Sequence, residues 1–104
     1  MNMGMLNGIR VLELGGGVSA PFCGKLLADY GADVIKIETP LRGDPTRHVG
    51  PFVNNDPHPE KSIPFLYLNT NKRSITLDIF SRCGREILDS LMSTSDIVIQ
   101  NMSV

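Results

Sequence analysis

The residues with chemical potential in this chain begin at Gly15-Gly16-Gly17-Val18-Ser19-Ala20, a run that fits G-x-G-x-x-A. A glycine turn between a strand and a helix suits an anion, because it lets backbone approach a phosphate and aims helix N-terminal amides at it. Glu38, 23 residues after Gly15, stands where such folds keep a carboxylate for ribose hydroxyls. Two readings stay open on spacing: a site for a nucleotide-like ligand, NAD among them, or a turn that only lets strand and helix pack closely. Arg42 and Arg47 flank Gly43-Asp44-Pro45-Thr46, and Lys72-Arg73 follow Asn69 and Asn71. Arginine forks and lysine ammonium groups are the donors that phosphates need; otherwise they are solvated loop charges. His48 and His58 sit in a proline-rich stretch without a nearby cysteine or HxxxH pattern, so they read as surface histidines and no metal site is expected. Cys23 falls in a first helical turn, which favours a thiolate, but Phe22 beside it suggests a packed, inert side chain. Asp44 and Asp78 could serve in acid-base chemistry only if a cleft holds them.

Short elements must position these groups. Residues 9–14 are an apolar run broken by Arg10 and Glu13, which suits a strand of a parallel sheet covered on both faces. Phe22, Leu26, Leu27 and Tyr30 recur at helical spacing, with Lys25 and Asp29 on the wetter side. Ser19 is the expected cap, Pro21 fits the first turn and Gly31 supplies the stop. Residues 34–38 make a second strand, so 9–38 form a β-α-β unit. Residues 39–64 hold most of the chain's seven prolines and read as an irregular excursion, a length that is usually functional or disordered. Residues 65–68 read as one helical turn or an extended piece, and 74–80 alternate like a strand. Ser81 caps a helix reaching about residue 92, and 97–99 form a last strand. Residues 1–8 read as a loose tail.

Composition narrows the class. Charged residues are 20%, hydrophobic residues 41% and the formal net charge is -1, which indicates a globular domain without attraction to nucleic acid or anionic membrane. No apolar stretch approaches a membrane span and no secretory signal is visible, so a cytoplasmic setting is expected. The separated Cys23 and Cys83 are expected to be reduced thiols.

The run VLELGGGVSAPFCGKLLADYGADVIKIETPLRGDPTR, followed by LNTNKRSITLDIFSRCGREIL and SDIVIQNM, resembles the N-terminal part of class III coenzyme A transferases, the CaiB/BaiF type. The resemblance runs from residue 8 to 102. It implies an α/β fold: a Rossmann-like parallel-sheet β-α-β fragment of a larger coenzyme A transferase domain. Residues 1–104 would then be a partial N-terminal coenzyme A-binding domain with an irregular loop at about 39–64. Matched by motif, Val18, Ser19, Ala20 and Pro21 fall on the turn that lines the coenzyme A pocket. Glu38, Arg42 and Arg47 belong to the stretch near the nucleotide phosphates. Asn71, Lys72 and Arg73 match a basic loop, and Asn101 matches an asparagine at the end of the fourth strand.

The resemblance further implies acyl-CoA and a carboxylic acid acceptor as partners, and an interlocked homodimer of the longer protein. The family's catalytic aspartate lies beyond position 104, so this chain alone is expected to be inactive. Three positions depart from the pattern: Val18 where transferases often have glutamine, Gln100 where glutamate is usual, and Met102 in place of an aromatic residue. Related 2-methylacyl-CoA racemases share this N-terminal architecture and remain an alternative reading. A non-enzymatic nucleotide- or CoA-binding module and an NAD-binding domain are the others.

Overall fold

Val11, Leu12 and Leu14 can all be buried because β1 (Arg10–Leu14) runs through the middle of a parallel sheet with cover on both faces. β2 (Asp33–Glu38) pairs with it in parallel, Val11 opposite Val34 and Glu13 opposite Lys36. β3 (Arg73–Thr76) joins the far side of β2, and β4 (Ile97–Gln100) joins the free side of β1. The four-stranded order is β3-β2-β1-β4, so the chain reverses its direction of growth between β1 and β4. The structure, a computed structural model, describes residues 4–103. Among these residues no helix is long and apolar enough to cross a membrane.

Alternation along the strands builds two apolar layers. On one face Val11 and Val34 meet Ala28 and Leu27 of α1 (Ser19–Asp29). On the other, Leu12, Leu14, Ile35 and Ile37 meet Leu88 and Leu91 of α3 (Arg82–Ser93). Between β2 and β3 the chain makes a 3-10 turn at Pro45–His48, another at Val53–Asn55, and then α2 (Ile63–Leu68). The stretch from 39 to 62 is thus largely irregular, and residues 65–68 take the helical alternative. Its fixed points are polar. Ser62 is fully buried, its Oγ lies 2.6 Å from Thr46 O and 2.7 Å from Val49 O, and it accepts from Phe65 N at the start of α2.

Five expectations need correction. Phe22, Leu26 and Tyr30 are exposed, and α1 turns Ala20, Pro21, Gly24 and Ala28 toward the sheet instead. The reason is steric: a Cβ on Gly24 would run into the Glu13 carboxylate. Cys23 is exposed, not packed. Ser19 is not the cap; Val18 holds that position without a side-chain bond, and Ser19 Oγ accepts from Asn101 Nδ2 at 2.9 Å. β3 ends at Thr76, because β2 ends at Glu38 and the last link is Leu77 N to Glu38 O at 3.0 Å. Leu77 and Ile79 still pack on the core, so their alternation survives without a ladder. The tail read over 1–8 lies outside the described residues for 1–3; beyond them Leu6 N donates to Tyr30 O at 2.9 Å and Leu6 packs against the core. Gly31 does stop α1, with φ +106°, and Ser81 Oγ caps α3 by accepting from Gly84 N at 3.0 Å.

Charged side chains cross the interior between the sheet and α1. Lys36 Nζ lies 2.8 Å from Glu13 Oε2 and 2.7 Å from Asp44 Oδ2, and Lys72 Nζ lies 2.7 Å from Glu13 Oε1. All four side chains are 0–2% exposed. Signs alternate along Lys72–Glu13–Lys36–Asp44, so the buried total is neutral. Lys72 Nζ donates to Pro21 O and Asn69 Oδ1; burial draws its pKa below the usual lysine value, against the opposing pull of Glu13. Removing one member of such a network strands its partners in low dielectric. Lys36→Met leaves Asp44 and one oxygen of Glu13 uncompensated and is expected to cost about 3–5 kcal/mol of unfolding free energy. Equilibrium urea denaturation checks this; a loss below about 1 kcal/mol, the scale of a surface pair, would show that the network does not hold the fold.

Candidate functional site

The carboxyl ends of β1 and β2 open into a cleft of about 310 Å³, beside the point where the strand order reverses. Open α/β sheets take ligands at such a place. Leu14, Ile37, Leu77, Ile79, Phe80 and Met102 give it an apolar wall, while Gly15, Gly16, Arg42 and His48 contribute backbone and polar groups. The volume is at the small end for ligand pockets, enough for a heterocycle with part of a chain. An apolar wall with few convergent polar groups suits a ligand that is part ring and part charged.

The glycine turn borders this cleft and is filled from two sides. Gly15 and Gly17 have φ of +106° and +79°, which side-chain-bearing residues rarely adopt. Asp44 Oδ1 accepts from Gly17 N at 3.2 Å, Thr46 N at 2.9 Å and Thr46 Oγ1 at 2.7 Å. Burial alone would raise the Asp44 pKa, but bonds from Lys36 and Thr46 outweigh it and hold the carboxyl below its usual range. On the opposite side Asn101 Nδ2 donates to Gly16 O at 2.8 Å, and its Oδ1 occupies the space a Gly15 side chain would need. Val18 and Ser19 are exposed beyond the turn, whereas Ala20 and Pro21 are buried and do not face the cleft.

Most of the expected ligand donors are committed internally. Arg47 grips Glu38 with both ends of its fork, at 2.7 and 2.8 Å, and its remaining nitrogen serves Pro59 O and Glu60 Oε2. Its guanidinium stacks 3.8 Å from the Phe65 ring centre. Glu38 also accepts from Asp44 N at 2.8 Å and Ser74 Oγ at 2.6 Å. With two bonds per oxygen the carboxylate has no acceptor site left for a ribose. Asn71, at φ +64°, donates to Asp29 Oδ1 at 2.8 Å, and Arg73 makes a bidentate pair with Asp33 at 3.0 and 2.7 Å. Lys72 is buried as described. Arg42 differs: it is exposed, lines the cleft and takes part in none of these pairs.

The remaining candidates are separate. His48 Nε2 lies 3.0 Å from Arg42 O at the rim, whereas His58 Nδ1 accepts from Glu60 N. Among the described residues no three His, Cys, Asp or Glu side chains gather as a metal site would require. Asp78 is outside the cleft lining and accepts from Phe80 N at 3.1 Å. Sequence reasoning passed over Glu13 and Lys36, which support the site from beneath. The available signal was one charge of each sign inside two adjacent, otherwise apolar strands, since such residues are rarely buried unless paired.

Glu38 supplies a pH dependence with a defined sign. Burial works to raise its pKa, but the bonds from Arg47, Ser74 and the Asp44 amide prevail and lower it from 4.5 to about 2. A depressed carboxylate stabilises the fold above its unfolded pKa, and that contribution fades as pH falls through the folded one. Wild type is therefore expected to exceed Glu38→Gln by roughly 3 kcal/mol at neutral pH. The gap should close between pH 4.5 and about 2. Urea unfolding across this range measures it, and a gap that ignores pH would contradict the assignment.

Known proteins share this sequence and fold. The family model described as CoA-transferase family III matches residues 6–104. The formyl-CoA:oxalate CoA-transferase of Afipia carboxidovorans is 44% identical over 98 residues, covering 94% of this chain and 22% of its own length. The succinyl-CoA–D-citramalate CoA-transferase of Chloroflexus aurantiacus is 41% identical over 96 residues, covering 92% and 23%. A crystal structure of a CaiB/BaiF family protein from Brucella suis superposes with a TM-score of 0.83 at 41% identity, covering 98% of this chain and 26% of that one. The chain therefore spans about a quarter of the length of the relatives it matches. From the match over residues 6–104 and the shared fold, the chain belongs to CoA-transferase family III.

Proposed function

We propose that residues 1–104 form the N-terminal, coenzyme A-binding part of an enzyme that moves coenzyme A between an acyl-CoA thioester and a carboxylic acid. The observation that carries this reading is the conjunction of the family match with an open, mostly apolar cleft at the carboxyl ends of β1 and β2. A ring bound along Ile37 and Phe80 would leave a phosphate within reach of Arg42, the cation at the cleft that is not already paired. Val18 and Ser19 lie exposed beyond the glycine turn, and Asn101 bonds Gly16 O and Ser19 Oγ across it. Glu38 and Arg47 act behind the cleft, holding the loop after β2 that forms part of the rim, whereas Asn71 and Arg73 bond Asp29 and Asp33 at the amino end of β2 and Lys72 is buried on Glu13. In this reading the reaction partners are an acyl-CoA and an acceptor acid, and the longer protein works in the cytoplasm as an interlocked homodimer.

The cleft binds in this reading but does not transfer. A nucleophilic carboxylate must be free to attack a thioester. Among the described residues the two carboxylates lining the cleft are Glu38 and Asp44, and internal bonds hold both. The nucleophile therefore comes from sequence outside these residues.

Isothermal titration tests the binding claim. Coenzyme A is expected to bind more tightly than adenosine, and Arg42→Ala to weaken coenzyme A by about tenfold, one charge-assisted contact, with the thermal midpoint unchanged. Equal affinity for coenzyme A and adenosine would remove the pocket. Incubation with succinyl-CoA and oxalate is expected to give no exchange; turnover by this chain would overturn the placement of the nucleophile.

A further inference from the structure

We propose that Asp44 is a specificity-determining residue: its carboxylate serves as a built-in anion that closes the glycine turn to phosphate and so refuses dinucleotides. The inference concerns what the turn excludes and does not depend on which reaction the cleft serves. In a dinucleotide fold, the first glycine turn and the helix behind it receive the pyrophosphate on free backbone amides. Here the sequence pattern and the strand-turn-helix context are both present, yet the Gly17 amide of the turn is already taken by a carboxylate. Gly17 N already donates to Asp44 Oδ1, and the Asp44 carboxylate lies so close to Gly16 that a Cβ there would sit 3.2 Å from it.

The position of that carboxylate is over-determined. Lys36 holds Oδ2 at 2.7 Å from inside the sheet, and Thr46 holds Oδ1 through both its amide and its hydroxyl. The Asp44 side chain is 0% exposed, so water does not screen its charge against an arriving phosphate. Two further features deny the anion a place. Pro21, in the first turn of α1, has no N–H to offer, and Asn101 lies across the other side of the turn on Gly16 O and Ser19 Oγ. A phosphate at the turn would meet a fixed like charge on the Gly17 amide and no N–H at Pro21. Phosphate groups are thereby directed away from Gly15–Gly17 and toward the exposed Arg42.

Removing the carboxylate should uncover the anion site. Asp44→Ala leaves Lys36 with excess positive charge beneath an emptied turn whose Gly17 amide is free. The experiment is two-dimensional amide NMR of the chain titrated with inorganic pyrophosphate at constant ionic strength. Wild type is expected to show no saturable shift at Gly17. Asp44→Ala is expected to show one at Gly16 and Gly17, with a dissociation constant at least about tenfold below any wild-type value. If Asp44→Ala does not fold, the double variant Asp44→Ala/Lys36→Met restores buried neutrality through Glu13 and Lys72, and the same shift is expected. Saturable pyrophosphate binding at Gly17 in wild type overturns the proposal. So does a folded Asp44 variant whose turn ignores pyrophosphate.

Discussion

The structure depends on an alternating row of buried charges, Lys72–Glu13–Lys36–Asp44, that runs from the loop before β3, through the sheet, to the loop after β2. Burying any one of these groups alone would cost several kcal/mol. Together they are neutral, and each ion is within 2.8 Å of an opposite charge. The row imposes demands on its surroundings. Gly24 must lack a side chain, so α1 can approach the sheet only through small residues. Pro21 O and Asn69 must face Lys72, which ties α1 to the segment after α2. A hydrophobic core would tolerate repacking more readily; this row accepts few alternatives.

From its last member the row reaches the site. Asp44 receives Lys36 on one oxygen and the glycine turn on the other, so the position of the turn is referred back to the middle of the sheet. Asp44 also gives its own amide to Glu38, which Arg47 holds against the stacked ring of Phe65. Two polar assemblies thus meet at one residue and fix a wall of the cleft. Above them the cleft is apolar, and Arg42 is left at the rim. The division is between charges that shape the pocket and one that is free to meet a ligand.

Legibility in the sequence followed the kind of force involved. Periodicity and turn chemistry act locally, so β1, β2, α3 with its Ser81 cap, and the Gly31 stop could be read directly. The facing of α1 could not, because burial of Ala20, Gly24 and Ala28 answers to Glu13 on another element. The same limit applies to the cations. Arg47 and Lys72 look like phosphate donors in sequence, and their ion pairs with Glu38 and Glu13 come from elements too distant for a local pattern to reveal. The G-x-G-x-x-A spacing located a glycine turn, and that turn borders a cleft. The carboxylate that fills the turn lies 27 residues away, beyond the reach of a local pattern.

A crystal structure of the chain with coenzyme A tests the account most directly, because it reports the ligand and the turn together. The expected density places the ligand in the cleft along Ile37 and Phe80, with a phosphate near Arg42 and Gly17 N still bonded to Asp44. Coenzyme A bound elsewhere, or a phosphate on the Gly17 amide with Asp44 displaced, would contradict it.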